Sequence, residues 1–392
     1  MTATEEREVT LPPARATTGS PAERFTSRDP EAFETPSGRD EDWRFSPLAK
    51  LRPFFEAFEP DGVIEGDHTV PAGAHVDVVV PRDVPAFGAV LTPADRVSAL
   101  AMAHATKGLH VRVDANAELD GPIVVDRTGV SGRSYAHHVV EAGPNSRATL
   151  VLDHRGPLQV AANVEINVGD GAQLDVIALY DCEPEAVVLA SYAALVGRDA
   201  TFRHVNISLG GGVIRSVPTV RFAGPGGRAE LLGLAFAGSG QHFETRLFVD
   251  HNAERCTSNV LYKNALLGET ARTVWIGDVR IRPTAIGTST YELNRNLLLS
   301  DGARADSVPN LEIETGEIAG AGHASATGRF DDLQLFYLRS RGIPEKEARR
   351  LVVRGFFADV VHRIGLPELE ERLMATIEER LTNNIDLIAS ND

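Results

Sequence analysis

The chain has 392 residues, of which 43% are hydrophobic and 24% charged, and its formal net charge is -16. This length and apolar content allow a large core, arranged either as one extended architecture or as several modules. The negative charge argues against a broad surface for nucleic acid or anionic membrane, because phosphates would be repelled. The two cysteines, Cys182 and Cys256, exclude a disulfide framework and a self-contained zinc ribbon, and they favour a reducing cytoplasm.

The first residues, "MTATEEREVTLPPARATTGSPAE", are acidic and rich in Thr, Pro and Ala. Their apolar content is too low to offset the entropy of ordering, so we expect residues 1–20 to form a disordered leader. This stretch has no apolar core of a signal peptide, and no run of about 18 apolar residues occurs elsewhere. We therefore expect a cytoplasmic protein that neither is secreted nor spans a membrane.

Residues 21–107 are predicted to form a mixed, partly helical region. The aromatic residues of "DEDWRFSPLAKLRPFFEAF" (40–58) recur near helical spacing, which predicts an amphipathic helix that needs a partner surface. A second helix is predicted in "LTPADRVSALAMAHATKG", with Thr92 as its cap, Pro93 at its first position and Gly108 at its end. His104 falls on the apolar side of this helix, where a core or boundary histidine is more typical than a ligand.

Between residues 108 and 328 the hydrophobic period changes to two, in runs such as "LHVRV", "ANVEINV" and "RTVWIGDVRI". Alanines follow turns at positions 148, 172, 200 and 229, at intervals of 24, 28 and 29 residues. Recurrence of this length without intervening helices is typical of the coils of a β-solenoid. A sandwich or barrel built of hairpins is the alternative, although two-residue Asn-Gly and Asp-Gly turns are scarce.

Residues 329–392 are predicted to form a helical module. A helix in "DDLQLFYLRSRG" ends at Gly342, a second follows Pro344, and a third begins at Pro367. The third helix carries one apolar stripe, formed by Leu369, Leu373, Ile377 and Leu381. This module either packs against the β region or docks a partner, and the sequence leaves both possibilities open.

The common catalytic motifs are missing from the chain. It has no Walker A loop, no G-x-S-x-G elbow and no H-E-x-x-H, and the glycine-rich stretches "SLGGGV" and "AGPGGR" are predicted to be turns. His137 and His138 are adjacent, but in a strand they point to opposite faces and cannot bind one metal from the same face.

Four residues of "VDHNAERCTSNVLYKNALL", namely Asp250, His251, Cys256 and Lys263, have side chains suited to acid–base chemistry or metal binding. In a strand–turn–strand context a structural role is the more typical one. Cys256 has no neighbouring thiol, so we expect it to be inert.

His323 lies in "GAGHASATG", where small residues leave the imidazole sterically open. A neutral imidazole is a good ligand for iron or zinc, but a single histidine does not complete a site. His323 is therefore either a turn residue or a metal ligand whose companions come from elsewhere.

The run "NLLLSDGARADSVPNLEIETGEIAGAGHASATGRFDDLQLFYLRSRGIPEKEARRLVVRGFF" (296–357) strongly resembles the SufB/SufD family of iron–sulfur cluster assembly proteins. The resemblance extends to "DHNAERCTSNVLYKNALLG" and, more loosely, to "DEDWRFSPLAKL". SufB-type chains have a cysteine where this chain has Asn294, so the chain resembles SufD. His323 matches the histidine implicated in cluster assembly, and Ala321 stands where some relatives have a cysteine.

The resemblance implies a right-handed parallel β-helix core with helical regions at both ends. It also implies a complex with a SufB-like paralogue and a SufC-like ATPase, the latter docked on residues 329–392, and a homodimer in isolation. His323 would then be a shared ligand of transient iron or a nascent cluster, with no cofactor bound tightly by this chain and no ATPase activity of its own.

Two alternatives remain. One is a purely structural subunit without metal contact. The other is a β-helix carbohydrate-active enzyme, suggested by Arg329, Asp331 and Asp332 near the end of the β region.

Overall fold

The computed structural model describes residue 23, residues 25–329 and residues 332–383, so the predicted leader (1–20) lies outside the described residues. The described helices are α1 (Leu48–Leu51), α2 (Arg96–His104), α3 (Asp332–Ser340), α4 (Glu345–Val361) and α5 (Pro367–Asn383). None of these helices has the length and apolar character needed to cross a bilayer.

Strands occupy most of the chain between the helical ends. In chain order they are β1 (Val63–Glu65), β2 (His68–Thr69), β3 (Ala74–Val79), β4 (Gly108–Val113), β5 (Ile123–Ser131), β6 (Ser134–Ala142), β7 (Arg147–Gly156), β8 (Gln159–Val168), β9 (Gln173–Cys182), β10 (Val187–Val196), β11 (Thr201–Ser208), β12 (Val213–Phe222), β13 (Arg228–Gly238), β14 (His242–His251), β15 (Thr257–Leu267), β16 (Arg272–Ile281), β17 (Ser289–Leu298), β18 (Arg304–Ile313) and β19 (Gly320–Arg329).

The strands alternate between two sheets. Sheet A contains the odd-numbered strands from β5 to β19, with β1 and β2 paired antiparallel to β5. Sheet B contains the even-numbered strands from β4 to β18, with β3 antiparallel to β4. Within each sheet the consecutive strands from β4 and β5 onward are parallel, so the chain winds as a parallel β-solenoid of about eight turns. The predicted β-solenoid is confirmed, and the hairpin-based sandwich is wrong, because neighbouring strands are never consecutive in these coils.

The alanine repeat of the sequence follows the coils, but its members do not all occupy the same position within a coil. Ala172 and Ala200 are stacked corner residues, since the Ala172 carbonyl accepts from Thr201 N and the Ala200 carbonyl accepts from Arg228 N, each at 2.8 Å. Ala148 and Ala229 instead lie inside strands and pair with Leu174 and Phe202. Small buried residues therefore mark each coil, but not always at the same corner.

Alternate residues of every strand point into the lumen between the two sheets and form the main apolar core. Because the pairing register holds from coil to coil, inward residues stack in columns. One column on sheet A contains Ile123, Leu150, Val176, His204, Leu231, Val260, Glu292 and His323. The column is mostly aliphatic until its last two members.

The outer face of sheet A is covered by α4 and α5. All four residues of the apolar stripe predicted for α5 are buried. They pack in one cluster with Val353 and Phe357 of α4 and with outward residues of sheet A. Lys263 Nζ pairs with Asp359 Oδ2 at 2.9 Å and fixes α4 to β15. For these two helices, packing against the β region is what the structure shows.

The N-terminal region covers the outer face of sheet B and differs from the prediction at both helices. The segment 40–58 contains only the short helix α1 followed by a 3-10 turn at Arg52–Phe54, because Pro53 cannot donate a backbone hydrogen bond within a longer helix. Its aromatic residues are nevertheless buried, with Trp43 and Phe54 in one cluster with α2.

Helix α2 is shorter than expected. It begins at Arg96 rather than Pro93, because Asp95 and not Thr92 is the cap, with its carboxylate accepting from Ser98 N at 2.8 Å. It ends at His104, and Gly108 already belongs to β4. Glu244 of β14 anchors the N-terminal region to sheet B. Its carboxylate accepts a hydrogen bond from Ser46 Oγ (2.7 Å) and forms an ion pair with Arg215 (3.2 Å).

Candidate functional site

The last coil of the solenoid is open. Strands β18 and β19 are the edge strands of sheets B and A, and no later strand pairs with them among the described residues. Most residues of β19 are exposed or half-buried, whereas the central strands β9 and β15 are largely buried. The lumen therefore ends in a surface at this end of the molecule.

His323 lies on this open end, in the middle of β19, and is exposed. Its register partner on β17 is Glu292, and parallel register partners stand on the same face of a sheet about 4.8 Å apart. The inward neighbours of His323 along β19 are Ala321 and Ser325, which are small, as the sequence indicated. His323 is therefore a strand residue at the mouth of the lumen and not a turn residue.

Glu292 is a functional candidate that the sequence analysis missed. It is 1% exposed, and neither carboxylate oxygen has a hydrogen-bond partner. A Cβ at position 277 would lie 2.7 Å from Glu292 Oε1, so Gly277 provides the space that the carboxyl group occupies. Burial, with a smaller contribution from Asp278, raises the pKa of Glu292 to about 8. The available signal was a glutamate at an inward position of the strand "STYELNRNLL".

Asn294 occupies the next inward position on β17 and is fully buried. Its Oδ1 accepts from Asn296 Nδ2 and from Ser307 Oγ, each at 2.8 Å, and Ser307 Oγ also bonds Ser325 Oγ at 2.7 Å. Asn294 thus lies in the lumen beside Glu292. Here it contributes an amide that is already engaged in hydrogen bonds.

Polar side chains continue from this end into the interior. Asn264 Nδ2 donates to Asn296 Oδ1 (2.9 Å), and Asn296 Nδ2 donates to Thr327 Oγ1 (3.0 Å). These residues are register partners on β15, β17 and β19. The last three coils of sheet A are therefore linked by an amide–hydroxyl ladder inside the lumen.

The structure does not bring the residues of the 249–267 segment together as one site. Asp250 forms an ion pair with Arg282 (2.7 Å), and His251 Nε2 bonds Ser258 Oγ (2.8 Å). Cys256 is buried, and burial raises the pKa of its thiol, as expected for an inert cysteine. Lys263 is committed to Asp359 of α4.

His137 and His138 point in opposite directions, as predicted from strand geometry. His137 Nε2 lies 2.6 Å from Glu165 on the outer face of sheet B, whereas His138 Nδ1 accepts from Leu109 N (3.0 Å). His104 stacks on Tyr135 with ring centroids 5.5 Å apart. His104 and His137 both line a cleft of about 770 Å³ between the N-terminal region and sheet B, far along the chain from β19.

The sequence-predicted ligand therefore has few companions in its own chain. Among the described residues, no three His, Cys, Asp or Glu side chains are grouped so as to hold a metal ion. The other cysteine, Cys182, is buried, and burial raises the pKa of its thiol to about 12. An imidazole and a carboxyl group at the open end of the lumen are the ligand types that the site offers.

These features define a class of protein: a β-solenoid with helical ends, in which the chemistry-bearing side chains lie at an open end rather than in an enclosed catalytic pocket. Residues 125–356 match the model of the SUF system FeS cluster assembly SufBD core domain. The chain belongs to the SufB/SufD family of iron–sulfur cluster assembly proteins and is of the SufD type.

Similar proteins agree with this assignment. An iron–sulfur cluster assembly SufBD family protein of Mycobacterium tuberculosis is 50% identical over 370 residues, which cover 92% of each chain. The SufD protein of Escherichia coli is 29% identical over 304 residues, covering 73% of this chain and 71% of its own. SufD of Bacillus subtilis is 26% identical over 330 residues, covering 82% and 74%.

Proposed function

We propose that this chain is the SufD-like subunit of a cytoplasmic scaffold that assembles iron–sulfur clusters with a SufB-like paralogue and a SufC-like ATPase. It supports cluster formation or iron acquisition at the interface with the SufB-like chain, and nucleotide hydrolysis belongs to the SufC-like partner. The observation that carries the proposal is the position of His323, exposed on the last strand of an open solenoid. A ligand at an open end is available to a site that two chains share.

The open end suits the pairing of two chains. An edge strand presents unpaired backbone donors and acceptors to a neighbour, and both sheets end in such a strand here. Ile313 on β18 and Tyr291 on β17 are exposed apolar or aromatic residues at this end, 46% and 47% accessible. We propose the same surface for the homodimer that the chain would form in isolation.

The docking surface for the SufC-like ATPase is proposed on the C-terminal helices. While α4 and α5 bury their apolar residues against sheet A, Phe336 and Tyr337 of α3 are 71% and 56% exposed. Exposed adjacent aromatic residues are typical of protein interfaces. Arg341 lies over the Tyr337 ring at 5.1 Å and adds a positive charge to this surface.

In the proposed mechanism, His323 supplies one imidazole nitrogen to iron or to a nascent cluster, which is the cargo of the complex. The SufB-like chain supplies the thiolates, because both cysteines of this chain are buried and have raised pKa values. Residues 320–328 belong to a strand that is paired with β17, which supports a fixed position of the imidazole at the open end.

The test is cluster reconstitution in the three-chain complex under anaerobic conditions. His323→Ala should leave complex formation intact and lower the yield of cluster, measured by iron, by sulfide and by visible absorption. His68→Ala, at an exposed histidine of β2 near the other end of the solenoid, is the matched control. An unchanged cluster yield in the His323 variant contradicts the metal role and leaves the purely structural subunit as the function.

The carbohydrate-active enzyme has no support from the geometry. Arg329 forms an exposed ion pair with Asp301 at 2.7 Å. Asp331 lies outside the described residues, and Asp332 begins α3.

A further inference from the structure

Glu292 is the acidic member of a group of buried luminal side chains without a hydrogen-bond partner, which also contains His204, Tyr262 and Trp275. Buried polar groups in native proteins nearly always have a partner, and a carboxyl group without one costs free energy that the fold must offset. Neither Glu292 oxygen has a partner, although the neighbouring Asn294 and Asn296 are connected by several hydrogen bonds. A buried carboxyl group without a protein partner either stays protonated or coordinates a metal ion.

The position of Glu292 in the solenoid favours the binding of a metal ion. Residues Leu231 and Val260 precede it in its luminal column, and within the described part of the chain the column ends with the next residue, His323. Apart from His204, four coils before His323, the column is aliphatic up to Val260, and it ends in two adjacent side chains that can bind a metal where the lumen opens to the surface. An aliphatic residue at position 292 would continue the column and leave no unsatisfied oxygen.

We propose that Glu292 and His323 together bind one divalent first-row metal ion at the mouth of the lumen, with the carboxylate and the imidazole as its two ligands from this chain. This inference rests on the proposed function and adds a second ligand to it. Imidazole nitrogen with carboxylate oxygen suits iron(II), zinc and cobalt(II). The remaining coordination positions face the open end, where water or a partner chain completes them.

The two side chains can reach a common ion. Register partners on parallel strands are about 4.8 Å apart at the backbone, and both side chains lie on the luminal face. The Glu292 carboxyl group lies over Gly277, so metal binding turns it about its flexible side chain towards His323. Ala321 and Ser325, which flank His323 on the same face, are small and leave room for the ion.

The test uses the full-length purified chain and cobalt(II) as the probe, with binding followed by visible absorption and by equilibrium dialysis. We expect one bound ion per chain. Glu292→Gln, which keeps the size of the side chain and removes its charge, and His323→Ala should each raise the Kd at least about tenfold. Glu317→Gln and His68→Ala, at exposed positions away from the column, should bind like the unmodified chain.

A second variant separates loss of a ligand from loss of folding. Glu292→Leu continues the aliphatic column, so its metal-free melting temperature should equal or exceed that of the unmodified chain. The rise in melting temperature on adding cobalt(II) should disappear in this variant. Retention of that rise in Glu292→Leu overturns the inference.

Two further results overturn it without touching the proposed function. One is cobalt(II) binding that depends on His323 but is unchanged in Glu292→Gln. The other is an unmodified chain that binds no cobalt(II) through His323. The proposed function is judged separately, by the cluster yield of the His323 variant in the three-chain complex.

Discussion

His204 and His323 lie in the same luminal column and differ in what covers them. His204 is 1% exposed, its ring is 4.7 Å from that of Tyr192, and neither of its nitrogens has a hydrogen-bond partner. Burial lowers its pKa to about 4. His323 occupies the equivalent position in the last coil and is exposed. The comparison shows that the position along the solenoid decides whether an inward histidine is a core residue or an available ligand.

The histidines buried inside the central coils should make the folded protein less stable in acid. Burial lowers the pKa of His154, His204 and His251 to about 4, and that of His138 also lies well below its usual value. The unfolded chain takes up these protons near pH 6.5, whereas the folded chain does so only near pH 4. The stability they contribute is complete above about pH 6.5 and is lost as the pH falls towards 4. The expected loss is about 3 kcal/mol for each of the three histidines.

The measurement is the free energy of unfolding by urea at several pH values between 7.5 and 4.5. His204→Leu, which matches the aliphatic neighbours in its column, should reduce the pH dependence by the share of one histidine. His323→Leu, at the exposed end of the same column, is the matched control. A stability that stays flat from pH 7 to 5 contradicts the enclosure of these histidines.

The fold was predictable where the pattern is local. Alternation of apolar residues and the spacing of Ala172 and Ala200 predict a solenoid, since each strand buries alternate side chains and small residues recur from coil to coil. The predicted boundaries of α1 and α2 were wrong because hydrophobic spacing does not show that Pro53 interrupts a helix or that Asp95 caps one. Helix capping and helix breaking are decided by single residues rather than by periodicity.

The site was only half predictable. His323 is marked by the small residues around it and by the resemblance of its surroundings to a family. Glu292 lies 31 positions earlier, and only the pairing register of β17 with β19 brings the two together. Register between coils of unequal length is not visible in the sequence, which is why a lone glutamate in "STYELNRNLL" carried no functional meaning there.

Replacing a buried carboxylate in the covered coils should lower the free energy of unfolding far more than replacing an exposed one at the open end. Glu244 is 1% exposed, and although burial opposes its ionisation, His242, Arg215 and Arg246 lower its pKa to about 2. Glu244→Ala removes a buried carboxylate that pairs with Arg215 and His242, so we expect a loss of about 3–5 kcal/mol in the free energy of unfolding.

The matched variant is Asp301→Ala at the open end. In the unmodified chain Asp301 forms a short ion pair with Arg329, but both side chains are about two-thirds exposed or more. Exposed pairs contribute about 0–1 kcal/mol, so this variant should unfold almost like the unmodified chain. Equal losses in the two variants would show that the two regions do not differ in enclosure.

The smallest expected effect concerns association rather than stability. Ile313 on β18 and Val78 on β3 are exposed apolar residues on the two edge strands of the same sheet. If pairing uses the open end, Ile313→Lys should weaken binding of the SufB-like chain at least about tenfold, or about 1.4 kcal/mol. Its melting temperature should be nearly unchanged, because a lysine on an exposed edge is tolerated by the folded chain.

Val78→Lys introduces the same charge at the opposite edge, where β3 lies antiparallel to β4 and is the last strand of sheet B. Sedimentation velocity of each variant with the SufB-like chain gives the two affinities under one set of conditions. Because the substitutions match in chemistry and in edge position, a difference between them isolates the open end as the pairing surface. Equal weakening, or weakening by Val78→Lys alone, would place the partner elsewhere and would contradict the proposed shared site at His323.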